Sequence, residues 1–253
     1  MINSDSLAWT IYKSLMKQSS FTIYYFSIGI LFIVLEKFTH SFYPEIIVKA
    51  MIIPVLMIYY HSVIWAKYNN FHRLMMTGFF FSWLGDVLLQ FSNGEKEFGL
   101  ATEDFFMLGL VAFLLTQVFY TIAFSTTKGK NSIFTSRIYM LILIIGYGAL
   151  LLWLLYNKLV TPEGNYRVPV IIYTAVILTM LASALNRYGK VNGVSYMLVS
   201  IGAILFVASD SMIAINRFIE KFDFARILIM STYITAQYLI AIGCLKQDYS
   251  DEQ

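Results

Sequence analysis

Apolar runs of roughly twenty residues recur eight times along the chain, with the charged residues gathered in short stretches between them. Wound as a helix at about 1.5 Å per residue, a run of that length crosses the ~30 Å hydrocarbon core of a bilayer. The runs lie near residues 20–37, 45–65, 73–91, 104–125, 134–157, 167–186, 194–215 and 225–245. Lipid offers the backbone no hydrogen-bond partner, so each segment must satisfy its own N–H and C=O groups. The runs are too long for strands and show no turn signal every ten residues, which favours helices over a barrel. The expected fold is all-α: a single integral-membrane domain over residues 1–253, built as one bundle of eight transmembrane helices.

Composition closes the other classes. Only 13% of residues are charged and 58% are hydrophobic, against about 25% charged in a soluble domain. The connections YNNFHR, SNGEKEFGLATE, STTKGKNSIFTSR, NKLVTPEGNYR, NRYGKVNG and NRFIEKFDFAR are too short to fold as a soluble domain. A net charge of +3, scattered along the chain, is no nucleic-acid footprint. One cysteine, Cys244, excludes an internal disulfide and a thiolate-built metal centre. His40, His61 and His72 all sit close to loops, and no metal or cofactor is expected. The opening MINSDSLAWTIYKSLMKQ lacks the short apolar core and cleavage site of a signal peptide, so the first span is expected to stay on the protein.

Lysines and arginines set the expected orientation. Lys13, Lys17, Lys67, Arg73, Lys128, Lys130, Arg137, Arg187, Lys190 and Lys246 fall on one side; Lys37, Lys96, Lys158, Arg167, Arg217, Lys221 and Arg226 fall on the other. That places both termini in the cytoplasm, in what reads as a bacterial inner-membrane protein. The two halves also resemble each other. Pro54-Val-Leu-Met-Ile-Tyr-Tyr in the second span matches Pro169-Val-Ile-Ile-Tyr in the sixth, and Gly85-Asp86-Val-Leu-Leu matches Ser209-Asp210-Ser-Met-Ile. Gln117 and Gln237 sit mid-helix in the fourth and eighth spans. Such a pattern suits two parallel four-helix repeats.

An ionisable group in a span costs at least ~2.5–3.5 kcal/mol on insertion scales, so each one needs a reason. Three stand inside the runs: Lys49, Asp86 and Asp210. Asp86 and Asp210 lie in the third and seventh spans, which run the same way, at a similar distance from the span end. Lys49 begins a span running the opposite way, so all three reach one leaflet. Taken singly each has an ordinary reading: an interfacial carboxylate, or a lysine whose stem snorkels to water. Tyr120, Tyr173 and Tyr233 read as packing residues, and Gln117, Gln237 and Asn216 as hydrogen-bond glue between helices. Two acids and a base at one depth, in a chain this poor in charge, read as a site.

Two buried carboxylates suit acid/base chemistry, with one held neutral and the other ionised. They equally suit a proton-coupled carrier of lipids or other small molecules. An aspartyl protease pair needs Tyr-Asp and Gly-x-Gly-Asp, which Leu84-Gly85-Asp86 and Ala208-Ser209-Asp210 do not supply.

Around these residues the chain resembles the YhhN/TMEM86 family of membrane lysoplasmalogenases, from the second span onward. The resemblance is carried by Phe81-Ser-Trp-Leu-Gly85-Asp86-Val-Leu-Leu89, by Gly109-Leu-Val-Ala-Phe113-Leu-Leu-Thr-Gln117-Val-Phe-Tyr120 and by Tyr173. Gly202-Ala203-Ile-Leu-Phe206-Val-Ala-Ser209-Asp210 through Asn216-Arg217-Phe218, and Tyr233-Ile-Thr-Ala236-Gln237, complete it. Two positions depart: Lys49-Ala50 stands where the family has Lys-Pro, and Gln117 where it has His. The resemblance implies hydrolysis of a lysoplasmalogen vinyl ether to a fatty aldehyde and a glycerophospho-choline or -ethanolamine. Asp86 and Asp210 would be catalytic, with Lys49, Tyr120, Tyr173, Asn216, Arg217 and Gln237 toward a lysolipid and Arg217 near its phosphate.

Overall fold

The computed structural model describes residues 4–38, 42–65, 68–93, 102–127, 132–162 and 164–247. His40, Lys67, Lys96, Lys128 and Lys130 fall outside these residues, as does most of SNGEKEFGLATE. Among the described residues the helices are α1 (Ser4–Phe38), α2 (Phe42–Ile64), α3 (Asn70–Asn93), α4 (Thr102–Ser125), α5 (Ile133–Ser136), α6 (Ile138–Leu155), α7 (Arg167–Leu185), α8 (Gly193–Phe218) and α9 (Ala225–Gln247). All but the single turn α5 are long and apolar enough to cross a membrane. The chain is an all-α integral membrane protein.

Three boundaries differ from the sequence expectation, each for a local reason. Helix α1 starts at Ser4 although its apolar window covers only Lys17–Phe38. The run expected as one helix over 134–157 breaks at Arg137, whose backbone sits at φ −134°, ψ 56°. Before it, the Ser132 hydroxyl accepts from Phe134 N and caps α5. The segment before α7 forms a hairpin, β1 (Val160–Thr161) and β2 (Gly164–Asn165), with Val160 opposite Asn165 and Thr161 opposite Gly164. Leu155, Leu159, Tyr166, Phe106 and Phe218 pack beneath it, sealing one end of α6 and α7 onto α4 and α8.

Six helices close a ring in the order α2, α3, α4, α7, α8, α9, with α9 returning to α2. Helix α1 lies outside against α2 and α9, and α6 lies outside against α7 and α8. The ring maps onto itself when α2, α3 and α4 are exchanged for α7, α8 and α9. Its tightest pairs are α3 with α4 and α8 with α9. Small residues permit this closeness. A Cβ on Gly202 would lie 2.9 Å from the Ala236 carbonyl oxygen and 3.0 Å from Ile240 N. Helix α6 shows the opposite extreme: Ile142, Leu143, Ile145 and Trp153 are all more than 60% exposed, a face suited to lipid.

Pro54 has a constructive role in α2. Proline lacks an N–H, so the carbonyl four residues earlier loses its helical partner. That carbonyl, on Ala50, accepts from the Trp83 indole Nε1 at 3.0 Å, which ties α2 to α3 one turn from Asp86. At the opposite end of the bundle Arg187 is wholly buried, donating from Nη2 to Ser195 Oγ (3.1 Å) and Gln247 Oε1 (2.6 Å). Burial pushes its guanidinium below the ordinary value. It pins the exit of α7 to α8 and α9.

Candidate functional site

The interior of the ring is polar at one level. Asp86, on α3, is buried, and its Oδ2 accepts from the Tyr233 hydroxyl on α9 at 2.6 Å. Tyr233 is 2.7 Å from Ser82 Oγ, one turn before Asp86, and Gln237 Nε2 donates to that serine at 2.6 Å. Tyr120, on α4, donates to Gln237 Oε1 at 2.7 Å. Because Tyr233 gives its proton to Asp86, Ser82 is left to donate to Tyr233. The donors Gln237, Ser82 and Tyr233 therefore point in sequence at one carboxyl group, an arrangement that suits a carboxylate. Gly85 lets α4 pack close beside it: a Cβ there would meet the Phe113 ring at 2.7 Å.

Asp210, on α8, has a simpler setting. Its Oδ2 accepts a hydrogen bond from the Tyr173 hydroxyl on α7. Asp86 and Asp210 lie within electrostatic reach of one another, and Asp86 within reach of Lys49. Lys49 is not a snorkelling lysine. It is 7% exposed, with Nζ 3.4 Å from Gln90 Oε1 and 5.9 Å from the centre of the Phe32 ring. Gln90 in turn donates to Glu45 Oε2 at 3.2 Å. Glu45 is itself buried, a further ionisable group inside the bundle that its place at the start of a run concealed.

Two cavities meet beside these groups. The inner one, about 60 Å³, is lined mostly by apolar side chains of α3, α4, α6, α7 and α8, with Asp210, Tyr173, Tyr147, Thr174 and Ser211 as its polar members. Tyr147 closes α6 onto α8 by donating to Ser211 Oγ at 2.6 Å. The outer one, about 820 Å³, gathers Lys37, Lys49, Arg217, Lys221 and Arg226 against Glu36 and Asp223. Leu89, Phe106, Ile213 and Phe218 line both. The Arg217 guanidinium lies 3.8 Å from the centre of the Phe106 ring, at that junction. An apolar chamber thus adjoins a wide, basic vestibule.

The sequence candidates separate accordingly. Asp210 and Tyr173 line the inner chamber; Lys49, Asn216 and Arg217 line the vestibule. Asn216 also accepts from Phe222 N at 3.4 Å, holding the turn after α8. Asp86 lines neither cavity, although Leu89, one turn on, lines both. Tyr120 and Gln237 also line neither, so their part is the buried chain of donors. His72 differs from the reading of a loop-side residue: it is wholly buried, its Nδ1 2.8 Å from the Tyr60 hydroxyl. Among the described residues no three His, Cys, Asp or Glu side chains converge as metal ligands. Ser82, Gln90 and Tyr147 went unmarked in the sequence. Serine, glutamine and tyrosine are ordinary in membrane helices, and only the helix register brings them together.

A model of the YhhN family matches residues 45–244, the stretch holding Lys49, Asp86, Tyr173, Asp210 and Arg217. The chain belongs to the YhhN family. The relatives it matches bear one activity in their names. Lysoplasmalogenase TMEM86B of Sus scrofa is 29% identical over 144 residues, 57% of this chain and 56% of its own. Lysoplasmalogenase TMEM86A of Homo sapiens is 29% identical over 181 residues, 68% and 65% of the two chains. A lysoplasmalogenase of Mycobacterium tuberculosis is 26% identical over 163 residues, 64% and 59%. This YhhN chain therefore spans between a little over half and just under two thirds of these relatives' lengths. No solved structure matches it significantly.

Proposed function

We propose that the protein is a hydrolase acting inside the bilayer on the vinyl-ether bond of lysoplasmalogens. The observation that carries this reading is the pair of adjacent cavities, which share Leu89, Phe106, Ile213 and Phe218 in their lining. An apolar chamber with a carboxyl group in its wall, set beside a basic vestibule, has the polarity of a one-chain phospholipid. The names of the relatives point to the same substrate class.

In this reading the hydrocarbon enters the inner chamber and the phosphate lies among Arg217, Lys221 and Lys37. The vinyl ether then sits near the junction, on the side of Asp210. Asp210, neutral, gives its proton to the β-carbon, and the double bond becomes an oxocarbenium ion. Asp86, ionised and fed by donors, opposes the new positive charge through space. Water adds to the cation while the Asp210 carboxylate takes its proton, restoring the acid. The hemiacetal collapses to a fatty aldehyde and a glycerophospholipid head. Tyr173 holds Asp210 toward the chamber throughout.

The vestibule lies at the end of the bundle where α1, α3 and α8 finish, opposite the start of α1. Eight crossings return both termini to one side, and the excess of Lys and Arg there supports a cytoplasmic location in a bacterial inner membrane. The head group would then be taken from the outer leaflet. The test is aldehyde release from a 1-alkenyl lysolipid by purified protein in detergent micelles. Release by the parent and none by Asp210→Asn is expected. Transport that needs a sealed vesicle and a proton gradient, with no aldehyde formed, overturns the reading in favour of a carrier.

A further inference from the structure

Gln117 differs from the other amides of the ring. It is wholly buried on α4, and neither its carbonyl oxygen nor its amide nitrogen meets a hydrogen-bond partner. Its counterpart Gln237 uses both ends, accepting from Tyr120 and donating to Ser82. The repeat explains the contrast. Ser82 lies four residues before Asp86, and the residue four before Asp210 is Phe206; Tyr120 lies three after Gln117, and the residue three after Gln237 is Ile240. Both hydroxyl partners have apolar residues in the other half, yet the amide remains. A buried amide without a partner is destabilising, so an amide left there needs a use. The Gln117 side chain adjoins the Tyr173 hydroxyl without reaching hydrogen-bond geometry, and Tyr173 lines the inner chamber beside Asp210.

We propose that Gln117 is a positioning residue that holds the attacking water against the Tyr173–Asp210 pair; this rests on the hydrolytic reading above. Its amide nitrogen donates to the tyrosine oxygen, and its carbonyl accepts one proton of the water. The other proton of that water faces the Asp210 carboxylate formed by the first transfer. The water oxygen bonds to the oxocarbenium carbon, the C=O⁺ π pair returns to the ether oxygen, and the released proton goes to Asp210.

The experiment compares the parent with Gln117→Leu and with Gln117→Met, whose unbranched side chain matches glutamine in length. Hydrolysis of a 1-alkenyl lysolipid is followed in detergent, with and without dilute methanol. Methanol captures the same cation as a mixed methyl acetal, so the ratio of acetal to aldehyde reports how firmly water is held. Both variants should melt at or above the parent temperature, because an unpaired buried amide has been replaced by an apolar group. KM should stay near the parent value while kcat falls about tenfold to a hundredfold, and the acetal share should rise. Unchanged kcat with an unchanged acetal share overturns the assignment. So does a fall in kcat that comes with a lower melting temperature and no change in that share, since that marks a structural role. A parent that forms no aldehyde defeats the hydrolytic reading itself; an active parent with unaffected variants defeats only the role of Gln117.

Discussion

At the scale of single residues, the two aspartates differ in setting more than in kind. Asp210 stands in a cavity wall with one tyrosine; Asp86 is buried at the end of a chain of donors. Asparagine keeps the shape and most hydrogen bonding of either but removes the proton and the charge. Asp210→Asn should keep its fold and lose aldehyde release by about 10²–10⁴-fold, the range of a general acid. Asp86→Asn should also lose activity, with KM close to the parent, because its charge acts on the cation rather than on the bound lipid. The double variant should be little slower than Asp210→Asn alone, and steady-state kinetics on the three proteins decides it. Both acids were legible in the sequence because a charge in an apolar run is costly and conspicuous. Tyr233 and Ser82 were not, since each is cheap in a membrane helix and gains meaning only from its partner. Lys49 was conspicuous and read as part of the site, but Gln90 and Glu45, which hold it inside, come from two different helices and were not marked.

At the scale of elements, the eight crossings follow from hydropathy alone, and all were legible. The finer breaks were not. Arg137 interrupts a run whose apolar character continues on both sides, and the Val160–Asn165 hairpin uses residues too few to show a period. The pairing of α8 with α9 was not read from the sequence, but it fixes where Asp210 and Tyr233 stand. Gly202 is where that pairing is tightest. Gly202→Val would drive side-chain atoms into the backbone of α9 at Ala236 and Ile240. A cost of about 1–3 kcal/mol is expected from such overpacking. Thermal unfolding in detergent should show the lowered midpoint, with activity falling in parallel. An unchanged midpoint would mean that α8 and α9 are less closely held than their backbones indicate.

At the scale of the whole molecule, the chemistry assigned here rests on carboxyl groups, hydroxyls and amides. Activity should therefore survive prolonged EDTA treatment and dialysis. Loss in EDTA with recovery on adding zinc would require a carboxylate-held metal and a different reaction path. A second expectation follows from size. The inner chamber holds about 60 Å³, room for roughly four to six water-sized groups at ~10–15 Å³ each. The first carbons of an alkenyl chain fit there and the rest do not. Turnover at saturation should thus be nearly independent of chain length once the chain exceeds about six carbons. A steady rise in kcat up to sixteen carbons would contradict it.

That small chamber has a consequence for what counts as the catalyst. On the proposed reading, whatever part of the hydrocarbon the chamber cannot house lies outside it, among neighbouring acyl chains. On that reading the protein would grip a lipid by its head and first few carbons while the surrounding fluid held the tail. The order and thickness of that fluid become variables of the reaction, as much as any side chain. Micelle, thin bilayer and thick bilayer would each make a different enzyme from the same polypeptide.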